Sequence, residues 1–273
     1  MGGVGIWRAP NAIWCCLAII LALFVRSWPP AHADDNPLSE DWEFEATPYV
    51  WFLSLDGDIT VRGQKTSFDV SFDDLVQKTN SAAILNAEVR KGRFGAFVDT
   101  VYAELSDDAG SGPVRLDLSA ENLWLTFGAF YRLGPWDLDP ATQANALTVT
   151  VDPYIGGRYT YLESKLDLKP GPNFSGDQAW IDPIIGLRTI WGLSERWSVT
   201  MSGDVGGFSV GSDFAWQAVG LVGYGFGLFG DDDAHVMAGY RALYQDYKNG
   251  SGANKFEWDA TVHGPILGLS VQF

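Results

Sequence analysis

Apolar and polar residues alternate along much of this chain, and the pattern is clear in residues 267–273. Leu267, Leu269, Val271 and Phe273 alternate there with small or polar residues. Because successive side chains of a β-strand point to opposite faces, these four residues line one apolar face. A wall with hydrocarbon outside and water inside needs this division of its side chains. The pattern therefore predicts a strand of a transmembrane β-barrel.

Segments with the same alternation recur through the chain and are separated by turn residues. They predict an all-β fold, an antiparallel up-and-down barrel of about ten strands that occupies residues 34–273. Short connections alternate with longer ones, which predicts short turns on the periplasmic side and longer loops outside. The predicted strands cover residues 42–54, 82–91, 93–106, 114–132, 145–163, 177–192, 196–209, 213–228, 234–247 and 256–273.

The first long connection, residues 55–81, leaves the strand count open. Residues 59–62 and 67–72 have strand character and could form a further hairpin, so a barrel of twelve strands is the alternative. Residues 71–74 read Ser-Phe-Asp-Asp and precede Leu75 and Val76, which is the form of a helix capping box. A short helix is therefore expected in this first extracellular loop.

The first 33 residues have the form of a bacterial export signal. Arg8 precedes an apolar stretch at residues 12–25, and Ala31 and Ala33 form a small-x-small cleavage site. Cleavage near Ala33 predicts export to the outer membrane. A membrane-anchoring helix is the alternative, but a spanning helix needs about 20 apolar residues. Both cysteines of the chain lie inside this segment, so the exported part has no thiol or disulfide chemistry.

Composition and charge exclude one class of partner. Hydrophobic residues make up 47% of the chain, a share that also suits a soluble protein, because half of each barrel strand is polar. The formal net charge is −16, and removal of the first 33 residues takes away two arginines and no acid. This sign excludes nucleic acid as a partner. Inside a barrel an acidic excess favours small cations, although a solvated acidic surface is the simpler interpretation.

A repeated seven-residue segment is the most specific internal pattern. Residues 152–158 read Asp-Pro-Tyr-Ile-Gly-Gly-Arg, and residues 182–188 read Asp-Pro-Ile-Ile-Gly-Leu-Arg. In each copy the Asp and the Arg share a face, while the other face suits lipid, so the charges are expected to point into the lumen. An antiparallel register then places Asp152 opposite Arg188 and Arg158 opposite Asp182, where opposite charges attract.

Alternation on the other strands adds further charges to the lumen. A ten-strand barrel is narrow, and small barrels are commonly filled by their own side chains. The charges are therefore expected to form either a structural plug or a polar constriction that sets the selectivity of a small pore. The predicted lumen network consists of Glu88, Arg90, Asp99, Asp152, Arg158, Asp182, Arg188, Asp204 and Arg241.

Four short motifs add a family resemblance. They are Ser-Phe-Asp-Asp-Leu at residues 71–75, Glu-Val-Arg-Lys-Gly-Arg-Phe-Gly at 88–95, Gly-Tyr-Arg at 239–241 followed by Tyr247, and His-Gly-Pro-Ile-Leu-Gly-Leu at 263–269. They resemble motifs of a group of Gram-negative outer-membrane β-barrel proteins to which no activity is attached. The resemblance implies a porin-like barrel in contact with outer-membrane lipid.

The end of the chain carries a second resemblance. Leu267, Leu269, Val271 and Phe273 are similar to the C-terminal assembly signal of outer-membrane proteins. This implies that the barrel-assembly machinery is a partner and that it engages the C-terminal strand.

Together these observations favour a structural barrel or a small porin-like channel with a charge-lined lumen that passes small cations or solutes. A barrel that binds or adheres through its loops is the alternative, since residues 107–113 and 248–255 are Gly- and Ser-rich loop tips. An outer-membrane hydrolase is a weaker alternative. His235 lies at the periplasmic end, His263 lies in a lipid-facing register, and no serine motif accompanies them. The chain is not expected to be an enzyme, and no metal or cofactor motif is present.

Overall fold

The computed structural model describes residues 40–61, 63–109, 115–138, 147–169, 173–227 and 234–272. All of them belong to one compact unit, Ala33–Gln272. The export signal and the terminal Phe273 lie outside the described residues and stay predictions. Among the helices of the described residues, none is long and apolar enough to cross a membrane.

The described residues are almost entirely extended. One α-helix, α1 (Phe72–Lys78), and one short 3₁₀ helix (Gly252–Asn254) interrupt the strands. The strands are β1 (Trp42–Trp51), β2 (Ser54–Val61), β3 (Gln64–Val70), β4 (Thr79–Lys91), β5 (Phe94–Ala109), β6 (Arg115–Tyr131), β7 (Leu133–Asp137), β8 (Thr148–Lys169), β9 (Asn173–Gly192), β10 (Trp197–Gly206), β11 (Phe214–Phe226), β12 (Ala234–Asn249) and β13 (Phe256–Gln272).

Ten of these strands close into an antiparallel barrel, which confirms the predicted fold class. Neighbours follow the order β1, β4, β5, β6, β8, β9, β10, β11, β12 and β13, and β13 pairs with β1 to close the ring. The extra hairpin exists as β2 and β3, but it adds no strands to the ring. β2 continues β1 along the outer half of β13, and β3 pairs with β2 alone among the described strands.

The predicted helix is also present. Ser71 precedes α1, and its hydroxyl accepts a hydrogen bond from the Asp74 amide at 3.4 Å while donating one to the Asp74 carboxylate at 2.8 Å. The Ser71 carbonyl accepts the first helical bond from the Leu75 amide. The Ser71 hydroxyl thus caps the helix at the position that the capping box predicted.

We call the end with the short connections at residues 92–93 and 193–196 the turn end, and the opposite end the loop end. Strand bounds differ from the predicted ones mainly at the loop end, where β8 and β9 run several residues further. Their added residues extend past the apolar belt, so lipid no longer imposes alternation on them. At the turn end, β7 forms in the predicted connection at residues 133–144 and pairs with the start of β8.

The outer wall carries an apolar belt between two groups of aromatic rings. At the turn end, Phe94 and Tyr131 are 5.0 Å apart between ring centroids, as are Trp197 and Tyr224. Toward the loop end, Trp216 stacks on Tyr244. This arrangement, with strands long enough for the 9–11 residues that a tilted membrane strand needs, is that of a transmembrane β-barrel. Exposed belt residues include Val98, Phe127, Ile155, Ile185, Leu187, Met201, Val222 and Leu267.

The ring of hydrogen bonds divides into two sheets at the loop end. β10 and β11 stop at the connection of residues 207–213, whereas β9 and β12 continue beyond it. On the other side, β1 pairs with β4 only over Trp42–Pro48. One sheet therefore consists of β4, β5, β6, β8 and β9, and the other of β12, β13, β2 and β3. Apolar side chains from both sheets pack between them, including Trp124, Leu162, Trp180, Leu243, Tyr247 and Trp258.

Candidate functional site in the barrel lumen

All nine predicted lumen residues occupy inward-facing positions. Asp152, Arg158 and Asp182 have no accessible surface, and Asp204, Arg241 and Arg90 are buried. The side chains of Glu88, Asp99 and Arg188 keep 10%, 14% and 22% of their surface accessible. Alternation therefore assigned each charge to the correct face.

The two repeat copies pair in the predicted register. Asp152 faces Arg188 and Arg158 faces Asp182 across β8 and β9. The first pair forms an ion pair, with Arg188 Nη2 2.7 Å from Asp152 Oδ2. The second does not form: Arg158 donates to Asp204 instead. Register fixes Cα positions, whereas a long guanidinium side chain reaches across the lumen to a carboxylate on a third strand.

The first cluster of the network surrounds Asp152. Arg132 forms a bidentate ion pair with this carboxylate, with Nε 3.0 Å from Oδ1 and Nη2 2.9 Å from Oδ2. Arg188 bonds it from the other side and also donates two hydrogen bonds to Glu88, at 2.5 and 3.1 Å. The Arg188 guanidinium lies 4.7 Å from the centre of the Phe130 ring. Guanidinium and carboxylate thus alternate through the cluster, which compensates the buried charges.

The second cluster surrounds Asp204. Arg158 Nη2 lies 2.9 Å from both carboxylate oxygens, and the Tyr154 hydroxyl donates at 3.1 Å. Arg158 Nε donates to Thr126 Oγ1 at 3.2 Å. Gln217 Nε2 approaches the same carboxylate at 3.4 Å. Asp204 is therefore the acceptor that joins β8, β10 and β11 inside the barrel.

The third cluster links Arg241 to the opposite wall. Arg241 Nη1 donates to Asp99 at 2.8 Å and to the Tyr49 hydroxyl at 2.6 Å, while Tyr49 donates to Asp99. Arg241 also donates to Gln217 Oε1 at 2.7 and 3.0 Å. Because Gln217 bonds both Arg241 and Asp204, the second and third clusters form one chain of hydrogen bonds across the lumen.

Two predicted residues lie outside the three clusters. Arg90 pairs with Glu43 and donates to the Gly92 carbonyl at 3.0 Å. Asp182 accepts only from neutral donors within the described residues: the amide and hydroxyl of Ser212, at 2.6 and 2.9 Å, and Gln245 and Trp180. Its carboxylate thereby fastens the connection of residues 207–213 to β9.

Sequence reasoning missed several members of the network, namely Glu43, Tyr49, Arg132, Tyr154 and Gln217. Each has the inward parity of its strand or lies at a strand end, so alternation could have included them. Arg132 ends the predicted strand 114–132 and follows the last residue of β6 in the structure. Gln217 and Tyr49 are uncharged, so a search of the inward face for charged residues does not select them, although their hydrogen bonds connect the charged residues.

His263 lies on the outer wall, as its register predicted. Its Nε2 is 2.7 Å from Asp56 Oδ2, and its Nδ1 is 2.6 Å from the Tyr240 hydroxyl. An acid and a phenol are thus within reach, whereas no serine hydroxyl bonds this imidazole in the described residues. Within those same residues, no group of three or more His, Cys, Asp or Glu side chains is arranged to hold a metal.

The C-terminal strand follows the predicted alternation over most of its length. Leu267 is half exposed on the outer wall, while Ser270 faces inward and donates to Glu45 at 2.6 Å. Leu269 is partly exposed, but Val271 is buried. Its role as an assembly signal stays a prediction.

The sequence matches no protein-family model and no curated protein. Among solved structures, the chain is similar to the outer membrane protease OmpT from Escherichia coli, with 11% identity, a TM-score of 0.47 and coverage of 86% of this chain and 97% of the other. It is also similar to Ail, the attachment invasion locus protein of Yersinia pestis, solved with the heparin analogue sucrose octasulfate (11% identity, TM-score 0.37, coverage 86% and 99%). A third is a Pseudomonas aeruginosa FadL homologue (11% identity, TM-score 0.29, coverage 85% and 90%).

These neighbours are Gram-negative outer-membrane β-barrel proteins whose activities differ from one another. They therefore indicate no single activity for this chain. The assignment as a ten-strand transmembrane barrel rests on the chain's own strand pairing and apolar belt.

Proposed function

We propose that this protein is an outer-membrane barrel with a closed centre, which serves as a rigid support for a binding surface at its loop end. The observation that carries the proposal is the filled lumen. Side chains with no accessible surface, among them Asp152, Arg158 and Asp182, occupy its middle, and an apolar core lies beyond them. Export with cleavage near Ala33 and the outer-membrane location belong to the same proposal.

The energetics of the network support a permanent plug. Opening a pore would separate guanidinium groups from the carboxylates that compensate them, and an uncompensated buried charge costs about 3–5 kcal/mol. Each of Arg188, Arg158 and Arg241 bonds a carboxylate contributed by another strand. Movement of one wall would therefore disturb several pairs at once.

The loop end supports the binding role. There the two sheets extend past the apolar belt, so their outer faces are not needed to contact lipid. Acidic side chains dominate the outer face of the sheet formed by β12, β13, β2 and β3, where they include Asp56, Asp58, Asp69, Asp246, Glu257 and Asp259. This distribution favours a cationic partner through electrostatic complementarity.

The test is conductance of the purified protein in planar bilayers under cation and anion gradients. The proposal expects no discrete steps, with insertion verified by heat-modifiable electrophoretic mobility of protein recovered from vesicles. Steps in the wild-type protein would overturn the closed centre.

A small channel is the second candidate, and one observation favours it. Arg188 and Glu88 keep part of their surface accessible, so water reaches one side of the network. If steps appear, the Arg188→Gln variant should shift their selectivity toward cations, because it removes a positive charge from the accessible part of the lumen.

A further inference from the structure

An open sheet edge runs along β3 at the loop end. β3 pairs with β2 on one side, and no other described strand pairs with it. The following helix, α1, packs against β5, and its Phe72 contacts Phe52. Residues 64–67 are exposed on both faces of the strand. The edge is therefore open to an added strand as far as the described residues extend.

The backbone groups at this edge follow from the hairpin geometry. Val61 pairs with Gln64 at the end of the β2–β3 hairpin, and Gly63 in its turn lies in the left-handed region at φ 77°. The pair that flanks such a turn exchanges both backbone hydrogen bonds, and the ladder then alternates. The N–H and C=O groups of Lys65, Ser67 and Asp69 consequently face the open edge.

Packing holds the edge in an extended conformation. Phe68 points inward and contacts Trp258, with 5.8 Å between ring centroids. The neighbouring Ser67 hydroxyl donates to Asp58 at 2.6 Å. An edge that is already ordered loses little conformational entropy when it pairs with a ligand.

The charges beside the edge define the partner. Asp58 lies directly opposite Asp259, and Asp56 lies directly opposite Asp69. Like charges in such positions repel. Lys65 lies 2.8 Å from Asp58 and His263 lies 2.7 Å from Asp56, so part of this repulsion is already offset. A cationic strand would relieve the repulsion that remains.

We propose that the β3 edge binds an extended, cationic peptide segment of another protein, which adds to the sheet as a further strand. Backbone hydrogen bonds give this mode its affinity, and alternate side chains give its specificity. Lysine or arginine at every second position would face the carboxylates of the outer face. The inference rests on the proposed binding role of the loop end, but not on whether the lumen conducts.

The experiment measures binding of a fluorescent decapeptide of alternating lysine and valine to the full-length mature protein in detergent, by anisotropy at low salt. The key variant is Ser67→Pro, which removes one edge N–H and is tolerated on an edge strand. Its matched control is Ser67→Ala, which loses the same hydroxyl bond to Asp58 but keeps the N–H.

The proposal expects binding to wild type and to Ser67→Ala, at least tenfold weaker binding to Ser67→Pro, and no binding of a glutamate–valine peptide. A lysine–valine peptide methylated at alternate backbone nitrogens should also bind at least tenfold more weakly. Equal binding to both Ser67 variants would show that the peptide is held by nonspecific charge attraction, and it would overturn the proposal. Absence of binding to the wild-type protein would overturn it as well.

Light scattering tests whether the β3 edge binds a second copy of this chain instead of a peptide. A wild-type dimer that becomes a monomer in Ser67→Pro would show that the edge takes a second copy of this chain, which also overturns the peptide assignment. The bilayer recordings decide the closed lumen separately, so failure of one proposal is distinguishable from failure of the other.

Discussion

Arg188 and Asp152 face each other across β8 and β9, with Nη2 2.7 Å from Oδ2. Arg132 bonds the same carboxylate from the other side, so one carboxylate compensates two guanidinium groups and Glu88 supplies the second negative charge. Because Asp152 has no accessible surface, water cannot replace it. This residue is therefore the most sensitive point of the first cluster.

We expect Asp152→Asn to destabilise the barrel by about 3–5 kcal/mol, because it leaves a positive charge uncompensated in the lumen. Urea unfolding in lipid vesicles, followed by tryptophan fluorescence, measures this loss. Asp177→Asn is the control, since Asp177 is exposed on β9 and should change stability by less than about 0.5 kcal/mol. Equal stability of Asp152→Asn and wild type would contradict the compensating role.

Gly156 is expected to tolerate no side chain. A Cβ at this position would collide with the carbonyl oxygen of Phe127 and the Cα of Gly128 on β6. Gly156→Ala should therefore lower stability by about 1–3 kcal/mol, as overpacking does. Gly176→Ala is the matched control, because nothing lies within 4 Å of a Cβ there. Heat-modifiable electrophoretic mobility compares the two, and similar midpoints would show that β6 and β8 can separate to make room.

The connection of residues 207–213 depends on Asp182. Asp182→Ala removes the acceptor of the Ser212 amide and hydroxyl and leaves buried donors unpaired, at about 1–3 kcal/mol each. We expect faster hydrogen–deuterium exchange of the amides in this connection. Ser212→Ala, which loses only the hydroxyl bond, should have a smaller effect. The exposed Asp213→Ala serves as control, and unchanged exchange in Asp182→Ala would refute the fastening role.

The β2–β3 hairpin should respond to pH through Asp58 and Lys65. Hydrogen bonds from Lys65 and Ser67 lower the pKa of Asp58 below its ordinary value of 3.8, and the bond to Asp58 raises the pKa of Lys65 above 10.5. The ion pair thus stabilises the hairpin between these limits. Its contribution is lost as pH falls through the lowered pKa of Asp58, or rises through the raised pKa of Lys65.

Carboxyl NMR titration measures this shift directly. We expect the Asp58 pKa to lie below 3.8 in wild type and to move upward in Lys65→Gln, which removes the main hydrogen-bond donor. A Lys255→Gln variant is the control, because Lys255 pairs with Glu257. The same Asp58 titration curve in wild type and Lys65→Gln would contradict the assignment.

The membrane part of the fold could be predicted from sequence because lipid imposes one rule on every strand. The ring of about ten strands and the inward direction of the nine charges follow from strict alternation, whereas the register of β8 with β9 follows from the repeated Asp/Arg segment. Beyond the apolar belt the strands do not contact lipid, so alternation is not imposed on them. The full lengths of β8 and β9 and the separation into two sheets therefore had no comparable signal.

Side-chain partners inside the lumen were less predictable than side-chain directions. Arg158 lies opposite Asp182 but bonds Asp204, because a guanidinium group can reach several carboxylates from one position. Which carboxylate Arg158 bonds depends on the hydrogen bonds that each carboxylate already accepts, and Asp182 already accepts one from the Ser212 amide. That contact comes from a connection whose folding no local pattern indicated.

The contacts between the first and last strands have a consequence for assembly. Arg241 on β12 reaches Tyr49 on β1 and Asp99 on β5, and Ser270 on β13 reaches Glu45 on β1. While the cylinder is still an unrolled sheet, Arg241 and Ser270 lie near one edge and Tyr49, Asp99 and Glu45 lie near the other, so the contacts between the two sets are absent. Joining the edges and neutralising the interior must therefore happen together, so a half-closed intermediate has little to stabilise it.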